Sequence, residues 1–261
     1  MREAFKEGQK TCCFCGRTGT RSQEHIWPTW AHPNLPAGEQ NYYTKSRSKG
    51  NRLLEHRKLQ GSTFNIRLKV VCAACNNTWM SGLESAVKPW LLPMLQGQPI
   101  RLDVIAQSRL AKYFVMKSMV ADLSRNSDVI FSQEDRTELH QAREIPVGVS
   151  VSLYFYSAPI DEVTQYNKET FRGVQDNGVD RSEPLMGNIT FRFGPIFVQV
   201  LCNRYIKDVP KPDQSQAAMI HPFNQAHVDW PPIAPLTTAD AFTIQHVLEF
   251  SGRQAGLPLA E

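Results

Sequence analysis

The sequence predicts an α+β protein in two parts: a cysteine-stapled N-terminal module over residues 1–100 with a basic β insertion, and a lobe over 101–261 that is helical first and antiparallel β later. Three observations predict it. Two Cys-x-x-Cys pairs, Cys12/Cys15 and Cys72/Cys75, bracket a stretch of 56 residues poor in core-forming side chains. Charge divides along the chain: residues 1–100 carry 14 Lys/Arg against 6 Glu and no Asp, a balance of +8, while the remainder is at −4 within an overall net charge of +4. Hydrophobic spacing changes from helical over 104–123 to strand-like alternation past residue 146, which separates a helical from a β-rich segment.

A chain of 261 residues with 41% hydrophobic and 21% charged side chains is globular rather than disordered. No apolar run approaches the roughly 18 residues of a membrane span, and residues 1–7 (MREAFKE) lack an apolar signal core. The expectation is a cytoplasmic protein without a membrane partner. The basic first part suits an anionic partner; a solvated basic surface with no polyanion is the competing reading of the same charges.

In chain order, 12–16 form a first knuckle with Gly16 turning behind it, and 23–27 suit a brief strand ended by Pro28. One helical turn fits 29–33. Residues 41–47 and 52–59 suit strands about a Ser-Lys-Gly-Asn turn, and 64–71 alternates as a half-buried strand. Together these read as a β-meander with Lys45, Arg47, Arg52, Arg57, Lys58, Arg67 and Lys69 on its outer face, or as a basic loop. A helix is expected after Cys75, running through Trp79 to about Val87 and stopped at Lys88-Pro89, with 91–95 a separate apolar segment. Asp103 caps a clear helix over 104–123, whose Ala106, Leu110, Tyr113, Phe114 and Val120 recur at core spacing. A polar helix fits 133–143. Strands fit 147–156 and 188–203, the latter broken at Gly194-Pro195; 158–187 and the proline-rich 209–236 read as irregular, and 239–253 as a closing helix.

The six cysteines stand at 12, 13, 15, 72, 75 and 202. A disulfide framework would spread them more evenly and would need an oxidising compartment. Two Cys-x-x-Cys knuckles instead supply the four thiolates of a tetrahedral zinc site. Cys13 has the poorer spacing, and Cys202 lies in an apolar strand as a small hydrophobe. Four thiolates close the coordination shell, so zinc held by Cys12, Cys15, Cys72 and Cys75 is structural and any catalysis needs a second site.

Between the knuckles stands Glu24-His25-Ile26-Trp27-Pro28, and the second knuckle continues as Cys75-Asn76-Asn77-Thr78-Trp79-Met80-Ser81-Gly82-Leu83-Glu84. A Cys-x-x-Cys, an acid–His dipeptide with an apolar residue and Pro behind it, and a Cys-x-x-Cys-Asn entering a helix resemble the zinc-stapled HNH endonucleases of the His-Me or ββα-metal superfamily, in particular a bacterial and phage subgroup. The resemblance covers residues 12–84. It implies a ββα-metal module, His25 as general base, and Mg²⁺ or another divalent cation held by Glu24 and Asn76. Asn65 is the nearest candidate for the asparagine that orients the base, and Asn51 a weaker one; the distance from His25 to Cys72 is longer than the pattern expects. Glu84, two turns after Asn76, reads either as near that cation or as a salt-bridging residue.

The implied activity is hydrolysis of nucleic-acid phosphodiesters, DNA before RNA. Histidine supplies a base near neutrality and a hard cation prefers oxygen ligands. Tyr42, Tyr43, Lys45, Arg47 and Arg52 combine stacking faces with phosphate-neutralising charge and are the nucleic-acid-binding candidates. The alternative is a non-catalytic zinc-stapled nucleic-acid-binding or protein-interaction module. The C-terminal lobe carries no recognised chemistry and could serve recognition or self-association.

Overall fold

A computed structural model describes residues 11–34, 42–49, 52–61, 63–124, 129–156, 166–171, 186–204, 212–223 and 225–248, with the backbone alone over most of 42–59. The protein is α+β, and every strand pairing among the described residues is antiparallel.

In the N-terminal part, strand β1 (Arg21–His25) leads into a 3₁₀ turn (Thr29–Asn34), and strands β2 (Tyr42–Lys49) and β3 (Arg52–Gln60) form a two-stranded ribbon. Strand β4 (Arg67–Cys72) pairs with β1, not with β3, so the expected meander is instead a separate ribbon plus a β1–β4 pair. The register sets Glu24 against Leu68 and Ser22 against Val71, and the residues that follow β1, Ile26 and Trp27, are buried in the same core as Leu68, Val70 and Val71. The expected outer-face charges and the nucleic-acid candidates of the ribbon lie on residues whose side chains are outside the description, as does Asn51.

After Cys72 the chain makes one helical turn, α1 (Ala73–Cys75), a wider π turn (Asn76–Met80), and helix α2 (Ser81–Leu95). The expected stop at Pro89 does not occur, and α2 also passes Pro93. A proline inside a helix removes one hydrogen bond; here burial of Val87, Leu91, Met94 and Leu95 holds the helix together across both.

Strand β5 (Ile100–Asp103) precedes helix α3 (Val104–Ala121), which Asp103 caps through the Ala106 N–H at 2.8 Å. Thirteen of its 18 residues are buried, so α3 is a central pillar rather than a surface helix. A 3₁₀ turn (Asp122–Ser124) follows, then α4 (Gln133–Gln141), opened by a Ser132/Asp135 capping box.

The C-terminal lobe is one five-stranded sheet of β6 (Val149–Phe155), β7 (Tyr166–Phe171), β8 (Met186–Phe193), β9 (Ile196–Asn203) and β10 (Ala217–His221), in the order β10-β6-β9-β8-β7. Strands β8 and β9 turn at Gly194-Pro195 as expected. Strands β7 and β10, and β11 (His227–Trp230) paired with β5, correct the irregular readings of 158–187 and 209–236. Alternation was weak there: β10 and β11 are four or five residues long, and their partners lie far away in sequence. Helix α5 (Thr238–Gln245) closes the described chain; the rest of the expected 239–253 helix lies mostly outside it.

The buried side chains of both parts form one continuous core, from Cys12 and Trp27 through α3 to Trp230. Trp27 Nε1 donates to the Arg192 carbonyl at 3.0 Å, and Gln133 Nε2 to the Cys13 carbonyl at 3.1 Å. Below α3, the fully buried Asp122 accepts from Arg136 (2.9 Å), Lys168 (3.1 Å) and the N–H groups of Ile130 and Phe131, tying α4 and β7 to the pillar.

Candidate functional site

The four cysteines of the two knuckles converge. Sγ atoms of Cys12, Cys15, Cys72 and Cys75 all lie within 4.8 Å of one another, and Cys15 and Cys72 are 3.7 Å apart. Zinc–sulfur bonds of about 2.3 Å in a tetrahedron put neighbouring sulfurs about 3.8 Å apart, so the donor set fits a structural zinc. Local backbone builds this geometry. Gly16, at φ +68°, donates its N–H to the Cys12 carbonyl at 2.9 Å, and the Cys13 N–H reaches the Val70 carbonyl, fixing the first knuckle against β4. The Cys75 N–H points at Cys72 Sγ at 3.4 Å. Cys13 and Cys202 stand outside the cluster, and burial pushes the Cys13 thiol up to about 12. Trp79 packs edge-on to Phe14 (5.0 Å) and to His140 (5.6 Å), whose Nε2 is 3.7 Å from Cys75 Sγ; the Arg143 guanidinium lies over the Trp79 ring at 4.6 Å. Four thiolates on one zinc carry net negative charge, and this basic edge suits it.

A second cluster gathers at the far end of β1. Lys117, on α3 and 1% exposed, donates to Glu24 Oε1 at 2.5 Å, to the His25 carbonyl at 2.9 Å and to Glu84 Oε2 at 3.1 Å. These use all three of its donors. The ammonium also lies 5.6 Å from the Tyr113 ring, whose hydroxyl burial and the two carboxylates push well above its usual range.

His25 ends β1 directly across from Arg67, which is exposed on β4. Its Nε2 is buried without a hydrogen-bond partner, as is Nε2 of His32. Burial lowers the His25 pKa below its ordinary 6.5, with Arg67, Lys117 and His32 adding to the effect and Glu84 opposing it. The ring is therefore neutral at pH 7, and its Nε2 is a buried nitrogen without a partner.

The other candidates are placed as follows. Asn76, at the start of the π turn, donates from Nδ2 to Ser22 Oγ at 2.8 Å, so it meets β1 two residues before Glu24. Asn65 is exposed in a 3₁₀ turn, and no side-chain hydrogen bond joins it to His25 among the described residues; the neighbouring Ile26 N–H instead donates to the Ile66 carbonyl at 3.2 Å. With Glu24 bound to a buried ammonium, this pair does not fit one shared divalent cation, although the Asn76 Oδ1 is left free by the bond its Nδ2 makes to Ser22. Glu84 joins the Glu24–His25 end of the site through Lys117.

Sequence reasoning passed over Lys117, His32 and His140. For Lys117 a signal existed: it is four residues after Tyr113 and seven after Leu110, a lysine on the core stripe of α3. A charge at such a position requires a buried counter-charge. The chain has no match among protein-family models, curated proteins or solved structures.

Proposed function

We propose that the protein hydrolyses phosphodiester bonds of nucleic acid, DNA before RNA, in the manner of an HNH endonuclease, with His25 as general base. One observation carries the reading: a neutral imidazole with a ring nitrogen that no protein group satisfies, at the end of a strand whose cross-strand neighbour is an exposed arginine; in this reading the buried nitrogen meets water only as substrate docks. The knuckles joining β1, β4 and the α2 segment, and the +8 balance of residues 1–100, support it.

In this reading His25 takes a proton from water as the water oxygen bonds to phosphorus. The bond from phosphorus to the leaving sugar oxygen breaks, and that oxygen is protonated from solvent. Arg67 faces the non-bridging oxygens, a role suited to a guanidinium. Mg²⁺ or another divalent cation on Glu24 and Asn76 belongs to the family resemblance. Glu24 is engaged with Lys117, so the chemistry is assigned to His25 and Arg67.

The test is nicking of supercoiled plasmid by zinc-loaded protein. His25→Ala is expected to lose about 10²–10⁴-fold in rate, the usual span for a general base, with zinc content and thermal melting unchanged. Nicking at the wild-type rate by His25→Ala would remove the base. Salt-dependent plasmid binding with no nicking by the wild type would favour the non-catalytic binding module.

A pH profile adds a second check. The base works unprotonated and its pKa is lowered, so the rate is expected to hold through neutrality and fall only at some point below 6.5. A rate already halved at pH 7 would contradict this assignment.

A further inference from the structure

We propose that Lys117 is the resident cation of the Glu24–Glu84 site, standing where a divalent metal would otherwise be bound. The assignment deepens the nuclease reading and rests on it only for its catalytic meaning, because cation occupancy is measured without substrate. Three facts lead to it. The two carboxylates come from β1 and α2, elements that nothing but this ammonium links at that point among the described hydrogen bonds. The ammonium has one acceptor for each of its three donors. Its side chain is 1% exposed and that of Glu24 9%, so water has little access to this pair, while Glu84 at 26% is the solvent-side carboxylate.

A hard divalent ion binds through carboxylate oxygens. At Glu24 it would meet a fixed positive charge within about 4 Å, where like charges repel strongly in a dry site. The metal therefore has to displace Lys117, and Lys117 has no other described acceptor to move to. The third donor adds a positioning role: it holds the main-chain carbonyl of His25, and so fixes the strand end that carries the base. Lys117 acts through Glu24, Glu84 and the His25 backbone, and does not itself touch substrate.

The experiment titrates Mn²⁺ into the zinc-loaded full chain and follows free Mn²⁺ by electron paramagnetic resonance, for wild type, Glu24→Gln, Lys117→Met and the double variant Lys117→Met/Glu24→Gln. Wild type is expected to bind no Mn²⁺ that Glu24→Gln removes. Lys117→Met, which keeps an unbranched side chain one atom shorter but leaves two carboxylates without their cation, is expected to gain about one Mn²⁺ per chain, lost again in the double variant. Wild-type binding of one Mn²⁺ that Glu24→Gln abolishes would overturn the proposal, as would a folded Lys117→Met that gains none. Where Lys117→Met fails to fold, wild type against Glu24→Gln still decides.

Plasmid nicking supplies the catalytic arm. Nicking that survives EDTA while zinc stays bound supports Lys117 as the cation. Nicking that needs added Mg²⁺, with a requirement that weakens in Glu24→Gln, overturns it. A wild type that nicks in neither condition defeats the nuclease reading alone, and Mn²⁺ binding then decides the role of Lys117 by itself.

Discussion

Stripping zinc from the four-cysteine cluster is expected to unfold the β1–β4 pair and the knuckles while the C-terminal sheet stays folded. Structural zinc binding at neutral pH is worth on the order of 10 kcal/mol, more than the whole stability of many domains. Few described side chains of residues 16–71 are buried in the core, chiefly Ile26, Trp27, Ala31, Leu68, Val70 and Val71. That apolar area alone does not offset the ordering entropy of so long an excursion. The sheet of β6–β10 instead contributes the densely buried Val151, Leu153, Ile189, Phe191, Val198 and Val200 to the core around α3. Hydrogen exchange resolved by peptide is the measurement: protection over 11–34 and 63–80 is expected to collapse on chelation, with 186–203 retained. Purified protein is expected to hold about one zinc per chain; Cys15→Ser and Cys72→Ser lose it, and Cys13→Ser keeps it. Unchanged protection after complete removal of zinc would reduce the cluster to four neighbouring thiols.

Asp122→Ala is expected to destabilise the zinc-loaded protein by about 3–5 kcal/mol, the span for removing one partner of a buried ion pair. The carboxylate is fully buried, and its partners Arg136 and Lys168 have side chains only 1% and 2% exposed. The substitution removes the carboxylate from both buried cations, leaving Arg136 the Met119 carbonyl and Lys168 the main-chain carbonyl of residue 122, and also frees the N–H groups of Ile130 and Phe131. Asp122→Asn keeps an acceptor and is expected to lose less. Denaturant midpoints measured at constant slope check it. A loss under about 1 kcal/mol for Asp122→Ala would mean that water reaches the cluster.

What the sequence made legible was local. Cysteine spacing identified the four-cysteine cluster because a knuckle is a four-residue object with its own hydrogen bonds. Asp103 and the helical spacing behind it located α3, and alternation located β6, β8 and β9. Contacts between distant segments were not legible. Strand β5 pairs with β11 across more than 120 residues, and β10 sits in a proline-rich stretch with little alternation. Helix α2 runs through Pro89 and Pro93 because its neighbours hold it, which no local rule reveals. At the candidate site the Glu24-His25 pair stood out from its motif. The residue that engages Glu24 lies 93 positions later and showed only as a lysine on an apolar stripe.

The placement of Lys117 near one end of α3, five residues before Asp122, bears on portability. The segment with the four-cysteine cluster invites excision near residue 100 and grafting elsewhere, since all four cysteines lie before that point. Excision would leave Glu24 and Glu84 facing each other with nothing between them, and the His25 carbonyl without its donor. The fragment would keep its staple and lose its centre. The helix that supplies the ammonium is also the floor of the second lobe, so the two parts can be inherited, truncated or transplanted only together.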